Sequence, residues 1–447
     1  MKSILSLSQK ILQKVTLILV ALLPTAIILS LLDYRFHSYF WPQLDLLRFQ
    51  QSAFFDFTSF SFYFYILLIG ICLIQFIFFD FKQQIKNSLK ILPIWLLISI
   101  ILAIAGAFIA ELNHVPLEPV IKSPLNQILI NLLVPIGLAV SLIWQQKTNP
   151  TSATVLKKSF SITFGLFALI ILFEFVTNYF PGDNRDFLNR LVWPYIDPFV
   201  DLKAESANWL SYIFAPATLI SIYLFKQFKK PHFLVSAVLT VSVLLLTKSY
   251  TGILAFGSAI GLYFFLLANN KWKVRIIILS LICLGIFVLT QWHTPKFQVL
   301  LGNYHLPNSL ERRAQIYEAS IKGLTEQPLT GFGIGNYQNY LRNNIKRLTG
   351  GTIPERELPP HPHNLILYFW SEFGFLGLIS ILTVYLGVTW SIISHPRSNA
   401  IYSFLLYPLI HGLFDVPYGL EEVSIIFWVT IAIVIAKRSQ NGALLNS

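Results

Sequence analysis

Two histidines and a carboxylate stand at the entry to a long apolar stretch. His361, His363 and Asn364 precede it, and Glu372 lies inside it. Histidine accepts a proton near neutral pH, which suits general base chemistry. A carboxylate inside a membrane helix is costly, so it usually has a partner or a function. The alternatives are a hydrogen bond from Glu372 to a neighbouring helix and simple solvation of the histidines at the membrane surface.

Basic side chains occur before the histidines in the chain. Arg312 and Arg313 open a helical pattern, Arg190 lies just before Trp193, and Lys248 lies in a short turn. Guanidinium groups bind phosphate oxygens with two parallel hydrogen bonds, although basic residues near a membrane often only extend to its surface. Arginines and a histidine together fit glycan transfer from a polyprenyl pyrophosphate. In that reaction an acceptor hydroxyl attacks the anomeric carbon and the arginines stabilise the departing pyrophosphate.

Another ionisable pair lies nearer the C-terminus. His411 and Asp415 are spaced to share one face of a helix, where they can pair. The sequence has no Asp-x-Asp motif, so metal-assisted transfer from a nucleotide sugar has little support, and we expect no metal and no cofactor. The glycines from Gly331 to Gly335 look like part of a dinucleotide fingerprint, but they follow no predicted strand, which makes that interpretation weak.

The composition predicts that the bilayer surrounds most of the chain. Hydrophobic residues make up 55% of the 447 residues and charged residues only 12%, whereas soluble domains are nearer a quarter charged. Most apolar stretches approach the ~20 residues that cross a membrane as a helix. These stretches are 15–32, 60–79, 91–110, 124–144, 159–176, 208–225, 232–247, 251–268, 274–291, 364–393, 400–418 and 422–436.

The net charge of +12 follows the connecting segments in alternation. Every second segment is basic, as in Lys226, Lys229 and Lys230, and Asp80 is the one acid in the whole set. This is the positive-inside pattern, and it predicts that both termini are cytoplasmic. The excess charge is therefore a topology signal, and we expect no nucleic-acid partner.

The predicted outer face carries the long connections. We expect outer loops at 33–59 and 177–207 within a first region, 1–291, which holds spans one to nine. Residues 292–363 form a large outer loop with two amphipathic helices, at about 309–324 and 336–348, joined by a glycine-rich turn. Residues 364–447 hold spans ten to twelve and a short cytoplasmic tail. The predicted fold is an all-α bundle of about twelve transmembrane helices.

Four sequence elements resemble the O-antigen ligase and O-antigen polymerase superfamily. They are Arg313-x-x-x-Tyr317, Pro328-Leu-Thr-Gly-Phe-Gly-Ile-Gly-Asn336, His361-x-His363-Asn364-x-x-Leu367 and Glu372-x-Gly374-x-x-Gly377. The segment from His411 to Asp415 resembles a further feature of that family. The resemblance implies a GT-C-like architecture in the bacterial cytoplasmic membrane, with the active site facing outward.

The resemblance also implies a donor and a set of residues. The donor would be a glycan linked to undecaprenyl pyrophosphate, transferred without a metal. His363 matches the family's essential histidine, Arg313 or Arg312 the arginine of the large loop, and Arg190 the arginine of the preceding outer loop.

One position departs from the family pattern. Many members have Ser-Arg at the outer start of span eight, and this chain has Ser249-Tyr250. We expect Lys248 to supply the missing positive charge.

These expectations combine into one hypothesis and its alternatives. We expect His363, Arg313 and Arg190 to be catalytic, and a second set to bind substrate: Arg312, His361, Asn364, Lys248, Glu372, His411 and Asp415. The enzyme would ligate the glycan to lipid A–core or to another surface lipid or polymer. A polymerase of the same superfamily, and a flippase or transporter of lipid-linked glycans, are the alternatives.

Overall fold

The structure, a computed structural model, is helical apart from one short hairpin within the part of the chain that it describes. That part comprises residues 2–40, 60–79, 92–112, 128, 132–177, 191–197, 202–294, 297–298, 301, 309–350, 358–359, 361–416 and 421–444. The first seven helices are α1 (Lys2–Phe40), α2 (Phe60–Phe79), α3 (Ile94–Leu112), α4 (Val134–Thr148), α5 (Pro150–Thr177), α6 (Ala207–Phe228) and α7 (Pro231–Leu246). The others are α8 (Tyr250–Leu267), α9 (Asn270–Gln291), α10 (Ser309–Glu326), α11 (Tyr337–Thr349), α12 (Leu365–Ser394), α13 (Leu406–Gly412) and α14 (Glu421–Leu444).

The hairpin was not predicted. Strands β1 (Trp193–Asp197) and β2 (Leu202–Ser206) pair antiparallel, with Trp193 opposite Ser206. Its second strand runs directly into α6.

The prediction of an all-helical multi-pass membrane protein is confirmed. Each predicted apolar stretch overlaps a helical segment, and within the described residues seven helices are long and apolar enough to cross a bilayer. The stretch predicted at 400–418 is divided, because a 3₁₀ helix (Ala400–Leu405) leads into the short α13. The total of twelve membrane crossings stays a prediction.

The described backbone forms two compact units. Unit 1 comprises Met1–Leu97, Ile121–Ile253 and Pro417–Ser447, and unit 2 comprises Ile98–Val120 and Leu254–Val416. The large-loop helices and the histidine segment therefore belong to the same unit, whereas Lys248 belongs to unit 1.

Unit 1 contains a buried line of hydroxyl groups, the hydroxyl seam, which consists of Ser161, Thr218, Ser221, Ser236 and Thr240. The Ser161 and Ser221 hydroxyls are 2.7 Å apart, and Ser236 donates to the Ser161 carbonyl at 2.5 Å. Thr218 donates to Thr240 at 2.9 Å. The seam joins α5, α6 and α7 through neutral groups, in the way that polar side chains join helices inside membranes.

Unit 2 contains a small hydrophobic core to which the large-loop helices contribute most residues, and we call these helices with the turn between them the loop module. Helices α10 and α11 pack through Ile316, Leu324, Tyr337 and Leu341. The Tyr337 hydroxyl lies 2.7 Å from that of Ser320. Helix α11 ends at Gly350, which adopts the left-handed conformation (φ +62°) that glycine accommodates. Both helices and the stop at Gly350 agree with the sequence prediction.

Helix α9 differs from these two buried regions in its exposure. None of its residues is buried, and apolar side chains such as Ile278, Leu281 and Leu289 are exposed along it. In water such a surface would be unfavourable, so in a membrane protein it is a surface for lipid. Its cap is made by Asn269, whose side chain accepts from the Trp272 N–H at 3.1 Å.

Candidate active site

His363 lies at the junction between the loop module and α12. Asn364 caps α12, and its side-chain oxygen accepts from Ile366 N at 2.9 Å and Leu367 N at 3.0 Å. The helix therefore begins immediately after His363. The backbone of His363 is left-handed (φ +50°), a conformation that costs a non-glycine residue roughly 1–3 kcal/mol. The surrounding contacts hold the imidazole in a position that the local sequence alone would not favour.

A carboxylate from beyond α13 orients the His363 ring. His363 Nδ1 lies 3.1 Å from Asp415 Oδ1, and the side chains are 29% and 6% exposed respectively. The same Asp415 oxygen accepts from Val416 N at 2.8 Å. Asp415 thus fixes one ring nitrogen, and this arrangement leaves Nε2 of the half-exposed imidazole for chemistry.

Tyr317 connects α10 to both of these segments. Its hydroxyl lies 2.9 Å from the His363 carbonyl and 3.2 Å from the Leu413 carbonyl. Asn364 Nδ2 donates to the same Leu413 carbonyl at 2.9 Å. Burial raises the pKa of the Tyr317 hydroxyl, so it stays protonated and keeps its donor.

His361 is buried beside His363. The ring centroids are 4.7 Å apart at an interplanar angle of 80°. Burial, and then the neighbouring His363, lower the pKa of His361 from 6.5 to about 3, against the opposing effect of Asp415. His361 is therefore neutral at physiological pH. We call His361, His363, Asp415 and Tyr317 the His363 cluster.

Arg313 of α10 acts on this cluster from the loop module. Arg313 is half-buried, and its positive charge acts on Tyr317 and on His361. Arg312, also half-buried, has its guanidinium 3.3 Å from the Gln315 side-chain oxygen. Unit 2 thus brings Arg313, a carboxylate-paired histidine and a tyrosine together, whereas the sequence predicted neither the His363–Asp415 pair nor the role of the tyrosine.

The prediction that His411 and Asp415 share one helix face is wrong. Helix α13 ends at Gly412, so Asp415 lies past its last turn. The His411 Nδ1 atom lies 2.9 Å from the Tyr407 hydroxyl, and Asp415 turns to His363. A sequence shows the spacing of residues but not where the helix stops.

Glu372 is buried within α12 and has a backbone partner. Its Oε2 accepts from Gly335 N at 2.5 Å, so the carboxylate contacts the glycine-rich turn of the loop module. This turn follows α10 directly and contains no strand, in agreement with the rejection of a dinucleotide fingerprint. The helical turn after Glu372 is interrupted at Gly374.

The two remaining predicted residues lie elsewhere in the sequence. Lys248 stands at the turn between α7 and α8 with a left-handed backbone (φ +47°), beside Ser249, whose hydroxyl donates to Asn208 Oδ1 at 2.7 Å. Arg190 lies outside the described residues. Neither role is tested by the geometry of unit 2.

Tyr317 is the residue whose role sequence reasoning missed. It appears in the Arg313-x-x-x-Tyr317 element, but nothing local indicates that its hydroxyl contacts carbonyls so far along the chain. The available signal was its spacing of one helical turn from Arg313, which puts both on one face.

The cluster also has donors that a metal could use. Ligand atoms of His361, His363 and Asp415 lie within 4.8 Å of one another. Two imidazoles and a carboxylate suit zinc-like ions. The contact between His363 Nδ1 and Asp415 Oδ1 already uses one of these atoms from each residue.

Comparison with known proteins gives two matches. A family model described as O-antigen ligase matches residues 235–382, a stretch that contains Arg313, His363 and Glu372 and ends before Asp415. The O-antigen ligase of Salmonella typhimurium (strain LT2) is 27% identical over 321 residues, which cover 68% of this chain and 69% of that protein.

Proposed function

We propose, because this chain belongs to the O-antigen ligase superfamily, that it is a membrane glycosyltransferase acting on a lipid-linked glycan. The donor is a glycan on undecaprenyl pyrophosphate, and the acceptor is a surface lipid such as lipid A–core or a surface polymer. The reaction takes place at the outer face of the bacterial cytoplasmic membrane and needs no metal. The observation that carries the proposal is the His363–Asp415 pair beside the arginines of α10.

The proposed chemistry assigns one proton and one bond to named groups. Asp415 accepts the Nδ1 proton of His363, so Nε2 carries the lone pair and removes the proton from the acceptor hydroxyl. The acceptor oxygen forms the new glycosidic bond as the bond from the anomeric carbon to the pyrophosphate breaks. His363 leaves the step protonated, and Asp415 stabilises that charge.

The departing pyrophosphate carries the charge that develops in the transition state. Arg313, with Arg312 beside it, stabilises this charge without a metal ion. The start of α12 adds the positive end of a helix dipole next to His363. We keep Arg190 and Lys248 as proposed phosphate-binding residues, and His411 as a residue of the acceptor side.

The central experiment is transfer by the purified protein in detergent. An undecaprenyl-pyrophosphate-linked glycan is the donor, candidate acceptors are offered in turn, and EDTA is present throughout. We expect the wild type to transfer, and His363→Ala and Arg313→Ala to lose transfer by roughly 10²-fold or more while remaining folded. Lys322→Ala, on the exposed side of the same α10, is the matched control and should keep full activity.

The experiment also separates the alternatives. Joining of donor units to one another without any other acceptor would identify a polymerase. For a flippase, His363→Ala cells would accumulate the carrier-linked glycan on the cytoplasmic side. Loss of an enzyme at the outer face leaves that glycan outside instead. Activity of His363→Ala equal to that of the wild type would contradict the site assignment.

A further inference from the structure

The glycine-rich turn of the loop module is attached to the interior of α12 by four hydrogen bonds, which together we call the latch. Trp370 Nε1 donates to Pro328 O at 2.9 Å, Phe332 N to Ser371 O at 2.8 Å, Phe375 N to Leu329 O at 3.1 Å and Gly335 N to Glu372 Oε2 at 2.5 Å. Two of these bonds join a backbone group of the turn to a backbone group of the helix. An unbroken helix would have no free backbone groups to offer, because its own ladder uses them.

The break that makes the latch possible is at Gly374. Its backbone (φ +64°, ψ −159°) is far from helical, within an otherwise continuous helix. A Cβ on Gly374 would collide with the Leu329 carbonyl, and a Cβ on Gly331 would collide with the Trp370 and Ser371 carbonyls. Glycine at these two positions allows the two backbones to touch.

Glu372 is the ionisable member of the latch, and its presence has a cost. The residue is 3% exposed, and a buried carboxylate is far more costly than an apolar side chain of similar size. Packing alone would therefore favour a leucine or methionine here. The carboxylate makes the bond at the far end of the turn, one residue before Asn336 and the start of α11. An apolar residue at this position could not accept the hydrogen bond from Gly335 N.

The latch and the Tyr317 contact hold the loop module to α12 at two separate places. Tyr317 fixes α10 near His363, at the beginning of α12. Glu372 fixes the turn after α10, about 10 Å further along α12 at ~1.5 Å per residue. The module also packs on the first part of α12 through Leu367 and Trp370. Among the bonds of the latch, the Glu372 bond is the one next to the start of α11, so it fixes that end of the turn. The arginines of α10 move with the module.

We propose that Glu372 is a positioning residue, whose bond to Gly335 sets the orientation of α10 and so places Arg313 beside the His363 cluster. The consequence for catalysis rests on the function proposed above. The mechanical part of the proposal, that the Glu372 carboxylate fixes the loop module on α12, is independent of that function.

The mechanical part is tested by distances between spin labels in the full-length protein. The labels are attached to cysteines at Lys322 on α10 and Leu386 on the distal part of α12, both exposed, with Cys72 and Cys283 changed to serine. We expect a narrow distance distribution in the wild-type background and in Glu372→Gln, because the amide oxygen still accepts from Gly335 N. Glu372→Ala and the shorter Glu372→Asp should broaden the distribution.

A second label pair provides the internal control. Lys322 and Lys346 are both exposed within the loop module, in which α10 and α11 pack directly against each other. Their distance should be the same in all variants. An unchanged Lys322–Leu386 distribution in Glu372→Asp and Glu372→Ala would overturn the proposal. So would broadening of the Lys322–Lys346 pair, because Glu372 would then support the fold of the module and not its orientation.

The catalytic consequence is tested by kinetics with a matched variant. Glu372→Ala should lower kcat by about 10²-fold, the cost of misplacing a catalytic group by about 1 Å, and Glu372→Gln should restore most of it. Ser380→Ala removes another buried polar contact of α12, to Ser99, and should leave kcat unchanged. A released module with normal kcat would overturn the positioning role. An inactive wild type with a normal label response would refute the proposed function and leave the latch established.

Discussion

The hydroxyl seam of unit 1 and the His363 cluster of unit 2 are both polar groups within a largely apolar protein. The seam is wholly buried, and its hydroxyls are neutral groups bonded to one another and to helix carbonyls. The His363 cluster contains three ionisable side chains besides Tyr317, and the side chain of His363 is 29% exposed. The seam is closed to reactants, and the cluster has one open nitrogen.

The difference shows how polar residues in a membrane protein can be sorted. A neutral hydroxyl satisfied on all sides holds helices together at little electrostatic cost. Ionisable groups that are paired on one side and open on the other cost more and suit proton transfer. Predictions based on this distinction differ in the quantity that should change, which is activity for the cluster and stability for the seam.

Asp415→Asn should have the largest effect. The amide cannot accept the Nδ1 proton in the same way or stabilise a protonated His363. Loss of the orienting carboxylate in a histidine-based site typically costs about 10³- to 10⁴-fold in kcat. The measurement is single-turnover glycan transfer with saturating donor. Asn364→Ala is not a suitable control, because it uncaps α12, so thermal unfolding must confirm that Asp415→Asn remains folded. A loss of less than tenfold would show that the His363 cluster, like the hydroxyl seam, has a structural role.

The sequence was sufficient to predict the helices but not the contact between Asp415 and His363. Apolar length and helical periodicity gave the spans and both loop helices, including the stop at Gly350, because each signal lies within one turn or one helix. The approach of Asp415 to His363, the left-handed backbone of His363 and the break at Gly374 depend on residues distant in sequence. Periodicity carries no information about such partners, so Glu372 was recognised as costly without its partner being identified.

The next largest effect is on the way the free energy of unfolding depends on pH. His361 has a folded-state pKa of about 3, below its ordinary 6.5, because it is buried and because His363 and Arg313 lie close, with Asp415 opposing. Below pH 6.5 His361 binds a proton in the unfolded chain but stays unprotonated in the folded chain. Stability should therefore fall as pH drops from 6.5 toward 3, by up to about 1.4 kcal/mol per pH unit.

Thermal unfolding in detergent at pH 7 and pH 5 measures this effect. The decrease in Tm on acidification should be smaller in His361→Gln than in the wild type, whatever the Tm of the variant at pH 7. Equal decreases in both proteins would show that His361 does not sense the proton. The seam offers the contrast, since its hydroxyls do not titrate in this range.

Tyr317→Phe should have a moderate effect on activity. It removes the hydroxyl shared by the His363 and Leu413 carbonyls and keeps the ring. A hydrogen bond of this type contributes about 0.5–1.5 kcal/mol, so kcat/KM for donor should fall by about two- to tenfold. Tyr385→Phe is the matched control, because that hydroxyl also donates to a backbone carbonyl, that of Leu409. If both variants lost activity equally, the specific role of Tyr317 would be refuted.

Ser236→Ala should have the smallest effect, and on stability alone. The change removes a donor to the Ser161 carbonyl and a hydroxyl neighbour of Ser221, while the carbonyl keeps its place in the helix. Interhelical hydrogen bonds in membranes average about 0.6 kcal/mol, so the Tm should decrease slightly and kcat should stay that of the wild type. Thermal unfolding and the transfer assay on the same preparation measure both. A fall in kcat without a fall in Tm would mean that the seam takes part in chemistry, and the distinction between closed and open polar clusters would fail for this protein.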